Sequence, residues 1–198
     1  MESNTKEKIL DEALVCFAEN GYEGTLLRNI ASGLGLSKSA LYKHYESKKA
    51  IWDALIEKME SYYDESINSA DHLPEMPESL EEFLSLTMRM VNFTIHDEKI
   101  ILMRKLLLTE QYHDDGLKTL ATEYFLNRVK NTYRAILSEM MKKGLIKNDD
   151  PDMLAFVFTS PITSLIHYCD REPEKEPEIM RQIKAYMKHF ISIYGIAR

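Results

Sequence analysis

Apolar residues recur at the three- and four-residue spacing of helices along most of this chain, and no stretch alternates as a half-buried strand does. The pattern predicts helices over residues 5–19, 48–68, 79–96, 98–111 and 116–143, followed by two more that close the chain. Pro74 and Pro77 interrupt it, so residues 71–79 are expected to form a linker. Gly144 is expected to end a helix. The sequence therefore predicts an all-α protein.

Residues 25–49 show a different pattern, in which two short helices are separated by a turn that contains Gly35. Thr25 is expected to cap the first helix and Ser37 the second, since a hydroxyl oxygen there can accept a backbone N–H. Ile30 and Leu41 fall on the buried faces. Two helices joined in this way form a helix-turn-helix, whose second helix can enter the major groove of DNA.

The charge of the same segment differs from that of the rest of the chain. Residues 25–49 hold five basic side chains and one acidic one, a local charge of +4 in a chain of net charge −7, so the remainder carries −11. Lysine and arginine neutralise phosphates and supply most non-specific affinity for DNA. A basic but merely solvated helix surface is the alternative, and the turn and caps favour DNA binding over it.

Residues 21–55 resemble the DNA-binding domain of the TetR family of transcriptional repressors. The resemblance rests on Gly-Tyr with Thr four residues after the Gly, Arg-x-Ile-Ala, a Gly-hydrophobic-Ser turn, Leu-Tyr-x-His-Tyr and a Ser-Lys pair. Leu26 stands where the family often has Thr, and Ser39 where Gly is common. The matching residues are Gly21, Tyr22, Thr25, Arg28, Ile30, Ala31, Gly35, Leu36, Ser37, Leu41, Tyr42, His44, Tyr45, Ser47 and Lys48.

The resemblance implies an all-α fold of about nine helices. An N-terminal three-helix helix-turn-helix DNA-binding domain would comprise residues 1–48, with its helix-turn-helix at residues 25–45. A connecting helix would follow at residues 49–70. Residues 71–198 would form a C-terminal helical domain for effector binding and dimerisation.

Candidate DNA contacts lie on and around the second helix of the motif. By resemblance, Tyr42 and Lys48 would contact phosphates, and Thr25 could reach one through its hydroxyl or backbone N–H. The exposed start of the helix would read bases, because lysine can pair with guanine, serine with either base type and an alanine methyl with thymine. His44 either contacts a phosphate or completes the packing beneath the helix. The full candidate set is Thr25, Arg28, Ser37, Lys38, Ser39, Ala40, Tyr42, Lys43, His44 and Lys48.

The two helices that close the chain are apolar and rich in aromatic residues. Asp150 and Pro151 begin the first of them as N-cap and first helical residue, and Pro161 should kink it. In the TetR family such a pair forms a four-helix bundle with its twofold mate, which implies a homodimer whose two heads read a palindrome. The alternative is that the pair only covers the core of its own chain. The candidate interface residues are Phe156, Ile162, Leu165, Ile166, Ile183, Tyr186, Met187, Phe190 and Tyr194.

The resemblance also implies a pocket for a small-molecule effector. The middle helices are rich in methionine and aromatic residues, which suit an adaptable apolar pocket. Such residues nevertheless belong to a core more often than to a ligand wall. The candidate pocket residues are Phe93, Met103, Tyr124 and Phe125.

An enzyme is the competing class, because Glu110 and His113 form a Glu-x-x-His pair of the kind used in di-iron helical bundles. Those sites need two such pairs and two further glutamates, and no other histidine here has Glu three residues before it. The sequence also lacks the HExxH, phosphate-loop and nucleophile-elbow motifs. We therefore expect no enzymatic activity, no cofactor and no metal.

Cys16 and Cys169 show no metal-ligand or redox spacing and are expected to be reduced thiols of a cytoplasmic protein. The N-terminus lacks the apolar core of a signal peptide, and no apolar run approaches 18 residues, so no membrane partner is expected. The resulting hypothesis is a ligand-responsive repressor that binds a palindromic DNA operator as a dimer and is released by a small-molecule effector. The alternatives are an activator of the same family, or a protein-binding regulator that reads no operator.

Overall fold

The computed structural model of the chain describes residues 2–68 and 76–196, and the side chains within them except those of residues 2, 3 and 63–68. No strand occurs in these two ranges, so the predicted all-α class is confirmed. If residues 115–142 are counted as one helix, the described residues form nine. The helices are α1 (Glu2–Gly24), α2 (Leu27–Gly33), α3 (Lys38–Tyr42), α4 (Lys48–Asn68), α5 (Leu80–His96), α6 (Glu98–Glu110), α7 (Asp115–Thr122), α8 (Arg128–Lys142), α9 (Pro151–Arg171) and α10 (Glu176–Tyr194).

Most predicted boundaries agree with these helices to within a few residues. Residues 71–75 of the predicted linker and residues 69–70 of the predicted connecting helix lie outside the described residues. Ser79 begins α5 as its N-cap and accepts the backbone N–H of Glu82 at 3.1 Å. The predicted helix over residues 116–143 contains a π-helical turn at Glu123–Asn127, which the apolar pattern did not reveal.

The chain divides into two compact units, Met1–Ser69 with Glu98–Ala121, and Ala70–Asp97 with Thr122–Arg198. The first unit therefore contains α6 and most of α7 in addition to α1–α4. The functional division predicted at residue 70 stays a prediction. Within residues 2–68 and 76–196, no helix combines the length and the apolar character that crossing a bilayer requires.

The core of the first unit is built around Phe17, which is fully buried. Its ring lies 5.8 Å from that of Tyr22 and 4.9 Å from that of Trp52, measured between centroids. Trp52, the only tryptophan of the sequence, is 2% exposed and belongs to this core. Leu106 and Leu107 bring the apolar face of α6 into the same unit.

The core of the second unit is a cluster of aromatic rings around Phe158, which is fully buried. The ring of Phe158 lies 5.0 Å from those of Phe83 and Tyr133 and 4.7 Å from that of Phe190. Rings at these separations contribute about 0.5–1.5 kcal/mol per pair beyond the area that they bury. Cys16 in the first unit and Cys169 in the second are buried, and neither forms a disulfide.

Helix α9 runs from Pro151 to Arg171 through Pro161. Proline has no N–H, so the carbonyl of Val157, four residues earlier, lacks its usual helical donor. The hydroxyl of Tyr186, on α10, donates a hydrogen bond to that carbonyl. Burial raises the pKa of Tyr186 to about 12, which keeps the hydroxyl protonated as a donor. Asp150 caps α9 by accepting the N–H groups of two residues in its first turn, as predicted.

Candidate nucleic-acid interface

Helices α2 and α3 form the predicted helix-turn-helix. Gly35 adopts a left-handed conformation with φ of 65°, and the N–H of Leu36 donates to the carbonyl of Ala31 at 2.8 Å to close the turn. The hydroxyl of Ser37 accepts the N–H of Ala40 at 3.1 Å, so its predicted role as the cap of α3 is confirmed. Gly33 is helical, and a Cβ atom there would collide with the carboxylate of Glu12 on α1.

The prediction that Thr25 caps α2 was wrong. The N-cap is Leu26, which has no side-chain cap, while the hydroxyl of Thr25 is turned inward. It lies 2.9 Å from the carbonyl oxygen of Cys16 and 2.8 Å from that of Gly21, so its one hydrogen is shared between two acceptors near the end of α1. Thr25 has no exposed surface to offer to a phosphate. The sequence pattern could not reveal this inward orientation of the hydroxyl, because it carries no information on how closely the end of α1 packs against residue 25.

The other candidate contacts around α3 are mostly exposed. The ring of Tyr42 is 42% exposed, and the ammonium nitrogen of Lys38 lies 5.7 Å from its centroid. The hydroxyls of Ser37 and Ser39 share a hydrogen bond of 2.9 Å, and Ala40 is half-buried. The exposed candidates are Arg28, Ser37, Lys38, Ser39, Tyr42 and Lys43. Ile30, Ala31 and Leu41 anchor this surface from the buried side.

Lys48 lies at the start of α4 and is hydrogen-bonded to the end of α1 and the residue that follows it. Its ammonium donates to the carbonyl of Tyr22 at 2.7 Å and to that of Thr25 at 3.2 Å, and it lies 4.3 Å from the centroid of the Tyr22 ring. A lysine ammonium has three donors. These two hydrogen bonds leave one donor for the phosphate contact that the resemblance implies.

His44 follows α3 and is half-buried. Its Nδ1 atom is buried and accepts or donates no hydrogen bond among the described residues. Both interpretations of this residue, phosphate contact and packing, stay predictions.

Two carboxylates, one at the end of α6 and one in the following turn, accept hydrogen bonds from residues that support the helix-turn-helix. The sequence pattern revealed neither contact. Glu110 accepts the backbone N–H of Tyr22 at 3.3 Å, beside Gly21, whose φ is 70°. Asp114 accepts the indole N–H of Trp52 at 3.0 Å. The sequence had offered Glu110 only as part of a metal motif with His113, which was considered and rejected. No cluster of three metal-ligating side chains occurs in the described part of the chain.

The candidate dimer residues fall into two groups in the second unit. Ile162, Ile166, Ile183, Met187 and Phe190 are buried within the single chain, where they cover its own core. Leu165, Tyr186 and Tyr194 are half-buried, and Phe156 is 48% exposed. The exposed apolar residues of the terminal helices are Met153, Phe156, Val157, Ile193 and Ile196. Only this exposed group offers surface to a partner.

The four candidate effector residues belong to different units. Met103 is buried in the first unit. In the second unit, Tyr124 and Phe125 lie on the π-helical turn, and Phe93 is half-buried on α5. The ring of Phe125 packs edge-on against His167 at 5.0 Å. The π-helical turn is of interest because such turns recur at functional sites.

Comparison with known proteins agrees with this geometry. The family model described as bacterial regulatory proteins, tetR family, matches residues 9–55. The biofilm operon icaADBC HTH-type negative transcriptional regulator IcaR of Staphylococcus epidermidis is 26% identical over 153 residues, which cover 63% of this chain and 77% of that protein. The Staphylococcus aureus protein of the same name is 46% identical over 48 residues, and the match spans 24% of this chain and only 26% of that protein.

Two solved structures share the fold over almost the whole chain. A transcriptional regulator of Saccharomonospora viridis in complex with choline has a TM-score of 0.72 and 21% identity, covering 99% of this chain and 100% of that one. The complex of SmeT of Stenotrophomonas maltophilia with triclosan has a TM-score of 0.71 and 18% identity, covering 98% and 92%.

The helix-turn-helix with its exposed basic side chains, on an all-helical fold, is that of a DNA-binding transcriptional regulator. Residues 9–55 match the TetR family of these regulators, and the chain as a whole is similar to regulators of that family.

Proposed function

We propose that this protein is a repressor that binds a palindromic DNA operator as a homodimer and is released by a small-molecule effector. The observation that carries the proposal is the exposed set of polar side chains on α2 and α3, anchored by buried residues on the opposite side. The names of two related proteins support repression of transcription over activation. IcaR is named a negative transcriptional regulator, and SmeT is named the repressor of a multidrug efflux pump.

The proposed operator contacts fall into two groups, those to phosphates and those to bases. Tyr42, Lys43 and the remaining donor of Lys48 would contact phosphates, which position the protein without reading sequence. Lys38 and Ser39, at the exposed start of α3, would read base edges in the major groove. Arg28 would reach the same groove or its edge from α2.

A homodimer would present two such heads, about 34–36 Å apart for half-sites one helical turn apart. Met153, Phe156 and Val157 lie at the spacing of one face of α9 and are all exposed. Ile193 and Ile196 add exposed apolar surface at the end of the chain. Contiguous exposed apolar surface marks protein interfaces, and the same face on a second copy would cover it.

The effector would act by shifting α4, which follows the helix-turn-helix, and thereby the separation of the two heads. Such a ligand can displace the equilibrium only as far as its affinities for the two conformations differ. The structures of related folds with choline and triclosan support a small organic ligand.

Selection of bound sequences from random duplex DNA tests the operator-binding proposal. We expect the wild-type protein to enrich a palindrome, and Tyr42→Ala to lose that enrichment. Tyr112→Ala is the matched control, because Tyr112 is an 84% exposed tyrosine outside the helix-turn-helix, and it should behave as wild type. Phe156→Arg should reduce the selected sequence to a single half-site, because a charge on the apolar face opposes dimerisation.

Binding without enrichment would contradict operator reading and favour the protein-binding alternative. The sign of regulation is tested by placing the selected site at a reporter promoter. Transcription should fall when the protein is supplied, and a rise would identify an activator.

A further inference from the structure

A groove of about 540 Å³ lies between α1, α4 and α6 of the first unit. Its walls include Leu10 and Asp11 of α1, Lys58 and Tyr62 of α4, and Lys99 of α6. This volume lies within the range of sites that hold small molecules. None of these side chains takes part in the helix-turn-helix surface, so the groove is separate from the DNA contacts proposed above.

Two lysines converge on one carboxylate oxygen in this groove. Oδ1 of Asp11 lies 3.0 Å from Nζ of Lys58 and 3.0 Å from Nζ of Lys99. Burial raises the pKa of Asp11, but the hydrogen bonds and charges of the two lysines outweigh burial and hold that pKa below its ordinary value. The carboxylate of Asp11 therefore occupies a two-lysine anion site that the fold has already built.

Apolar residues lie directly beneath the charged groups. Leu14, Leu55, Met59 and Met103 are buried, and they share a small cavity of about 10 Å³ with the residues of the ion-pair cluster. An aliphatic tail would enter only if the methionine side chains moved. Methionine is suited to this, because its unbranched side chain adapts to irregular apolar shapes.

We propose that the groove binds an amphipathic monocarboxylate, whose carboxylate takes the place of Asp11 on Lys58 and Lys99 and whose aliphatic tail enters the floor at Met59 and Met103. This inference rests on the proposed function, because it identifies the site and the chemical class of the effector.

The charged residues around the groove favour a ligand that carries a single negative charge. Glu7 and Glu57 lie on the exposed rim of the groove and would repel a dianion more strongly than a monoanion. Replacement of Asp11 also has a mechanical consequence. Asp11 belongs to α1 and Lys58 to α4, so the bound anion breaks an ion pair that ties α1 to α4. The helix proposed above to shift thereby loses one of its polar contacts with α1, while those of Lys48 remain.

The test is calorimetric titration of the full chain with decanoate below its aggregation threshold, beside decanol and decyltrimethylammonium. We expect decanoate to bind more tightly than decanol, but by no more than about fivefold, the value of one partly exposed ion pair, because its carboxylate gains the two lysines only by displacing Asp11 from them. Lys58→Met combined with Lys99→Met should abolish that preference. Asp11→Asn should tighten decanoate binding by about fivefold, because it removes the competing carboxylate.

Lys105→Met is the matched control, because Lys105 is an exposed lysine of α6 that does not line the groove, and it should change the affinity less than twofold. Opposite responses of the aspartate variant and the double lysine variant separate ligand binding from a structural role, which would weaken binding in both. Preference for decyltrimethylammonium, equal binding of decanol, or weaker binding by Asp11→Asn would each overturn the inference.

The same protein samples distinguish this inference from the proposed function. If the chain selects a palindrome but does not bind decanoate, the inference fails and the repressor remains. If it binds decanoate with the expected variant pattern but selects no DNA sequence, the site stands and the operator-reading role fails. If both hold, decanoate should release the selected DNA from wild type and leave Lys58→Met/Lys99→Met bound.

Discussion

The two units of this chain are held together in different ways. In the first unit, partly buried polar contacts join helices that are distant in sequence. Lys48 donates to the carbonyl of Tyr22, Asp114 accepts from Trp52, and Glu110 accepts from the backbone of Tyr22. Each is a single contact with one donor and one acceptor.

In the second unit the long-range contacts of charged side chains lie at the surface, as in the ion pair Lys143–Glu78 and the hydrogen bond between His96 and Glu176. The interior is instead the aromatic cluster around Phe158. Apolar packing is collective and strong, whereas one hydrogen bond adds only about 0.5–1.5 kcal/mol net but can be broken alone. The first unit thus contains the contacts that a ligand, a proton or a substitution can release one at a time.

The largest expected effect is in the aromatic core. Phe158→Ala should lower the free energy of unfolding by about 3–5 kcal/mol, because it removes a fully buried ring and leaves a cavity among three others. Urea denaturation followed by circular dichroism measures the loss. Phe156→Ala, two residues earlier on α9 and half-exposed, is the control and should cost about 1 kcal/mol or less in the monomer. Equal losses for the two variants would show that the cluster is not the main source of stability.

A smaller effect is expected where Glu110 meets the end of α1. Gly21 and Gly35 both have φ near +65 to +70°, but Gly21 also has ψ of 173°, a combination that essentially only glycine adopts, so alanine costs about 1–2 kcal/mol in backbone strain at Gly35 and about 1–3 kcal/mol at Gly21. A Cβ atom at Gly21 would also lie 2.6 Å from Oε1 of Glu110, whereas nothing lies within 4 Å of one at Gly35. Gly21→Ala should therefore be the more destabilising, and about 1 kcal/mol of the difference is the value of the displaced hydrogen bond.

Urea unfolding followed by the fluorescence of Trp52, which lies in the first unit, compares the two glycine variants. The difference between them should shrink by about 1 kcal/mol when Glu110→Ala is present in both, because the contact with Glu110 is then absent from each. An unchanged difference would show that the contact between Glu110 and Tyr22 does not hold the end of α1.

Helical spacing and caps were enough to predict the fold class, the bounds of α4 and the turn between α2 and α3. Ser37 could be assigned because an N-cap acts within three residues of itself. The role of Thr25 could not be assigned in this way. The orientation of its side chain is set by the carbonyls of Cys16 and Gly21, which reach it only after α1 has packed.

Prediction of the candidate sites from the sequence was limited in the same way. The exposed polar residues of α3 follow from local periodicity. The contact between Glu110 and Tyr22 joins residues 88 positions apart, and the two lysines that meet on Asp11 come from different helices. Local patterns carry no information on such pairs, and the only role that they suggested for Glu110, a metal motif with its near neighbour His113, was one that the sequence argued against.

The smallest expected effect is the pH dependence of the contact between Asp114 and Trp52. Burial alone would raise the pKa of Asp114, but hydrogen bonds from Trp52 and from the backbone of Leu117 and Gly116 outweigh it, so the pKa lies below its ordinary value. A carboxyl whose pKa is lowered on folding stabilises the protein above its unfolded pKa of about 3.9, and this stability is lost as the pH falls through the folded value. Stability of the first unit should therefore fall below about pH 4, and Asp114→Asn should flatten that part of the curve of stability against pH.

Asp115→Asn is the control for this prediction. It removes a charge from the same helix start while leaving the Trp52 contact in place, and it should retain the wild-type slope. Trp52 fluorescence in urea between pH 2 and 6 (about the interval over which an aspartate titrates) measures both slopes. If Asp114→Asn keeps the wild-type slope, this hydrogen bond contributes nothing to acid stability.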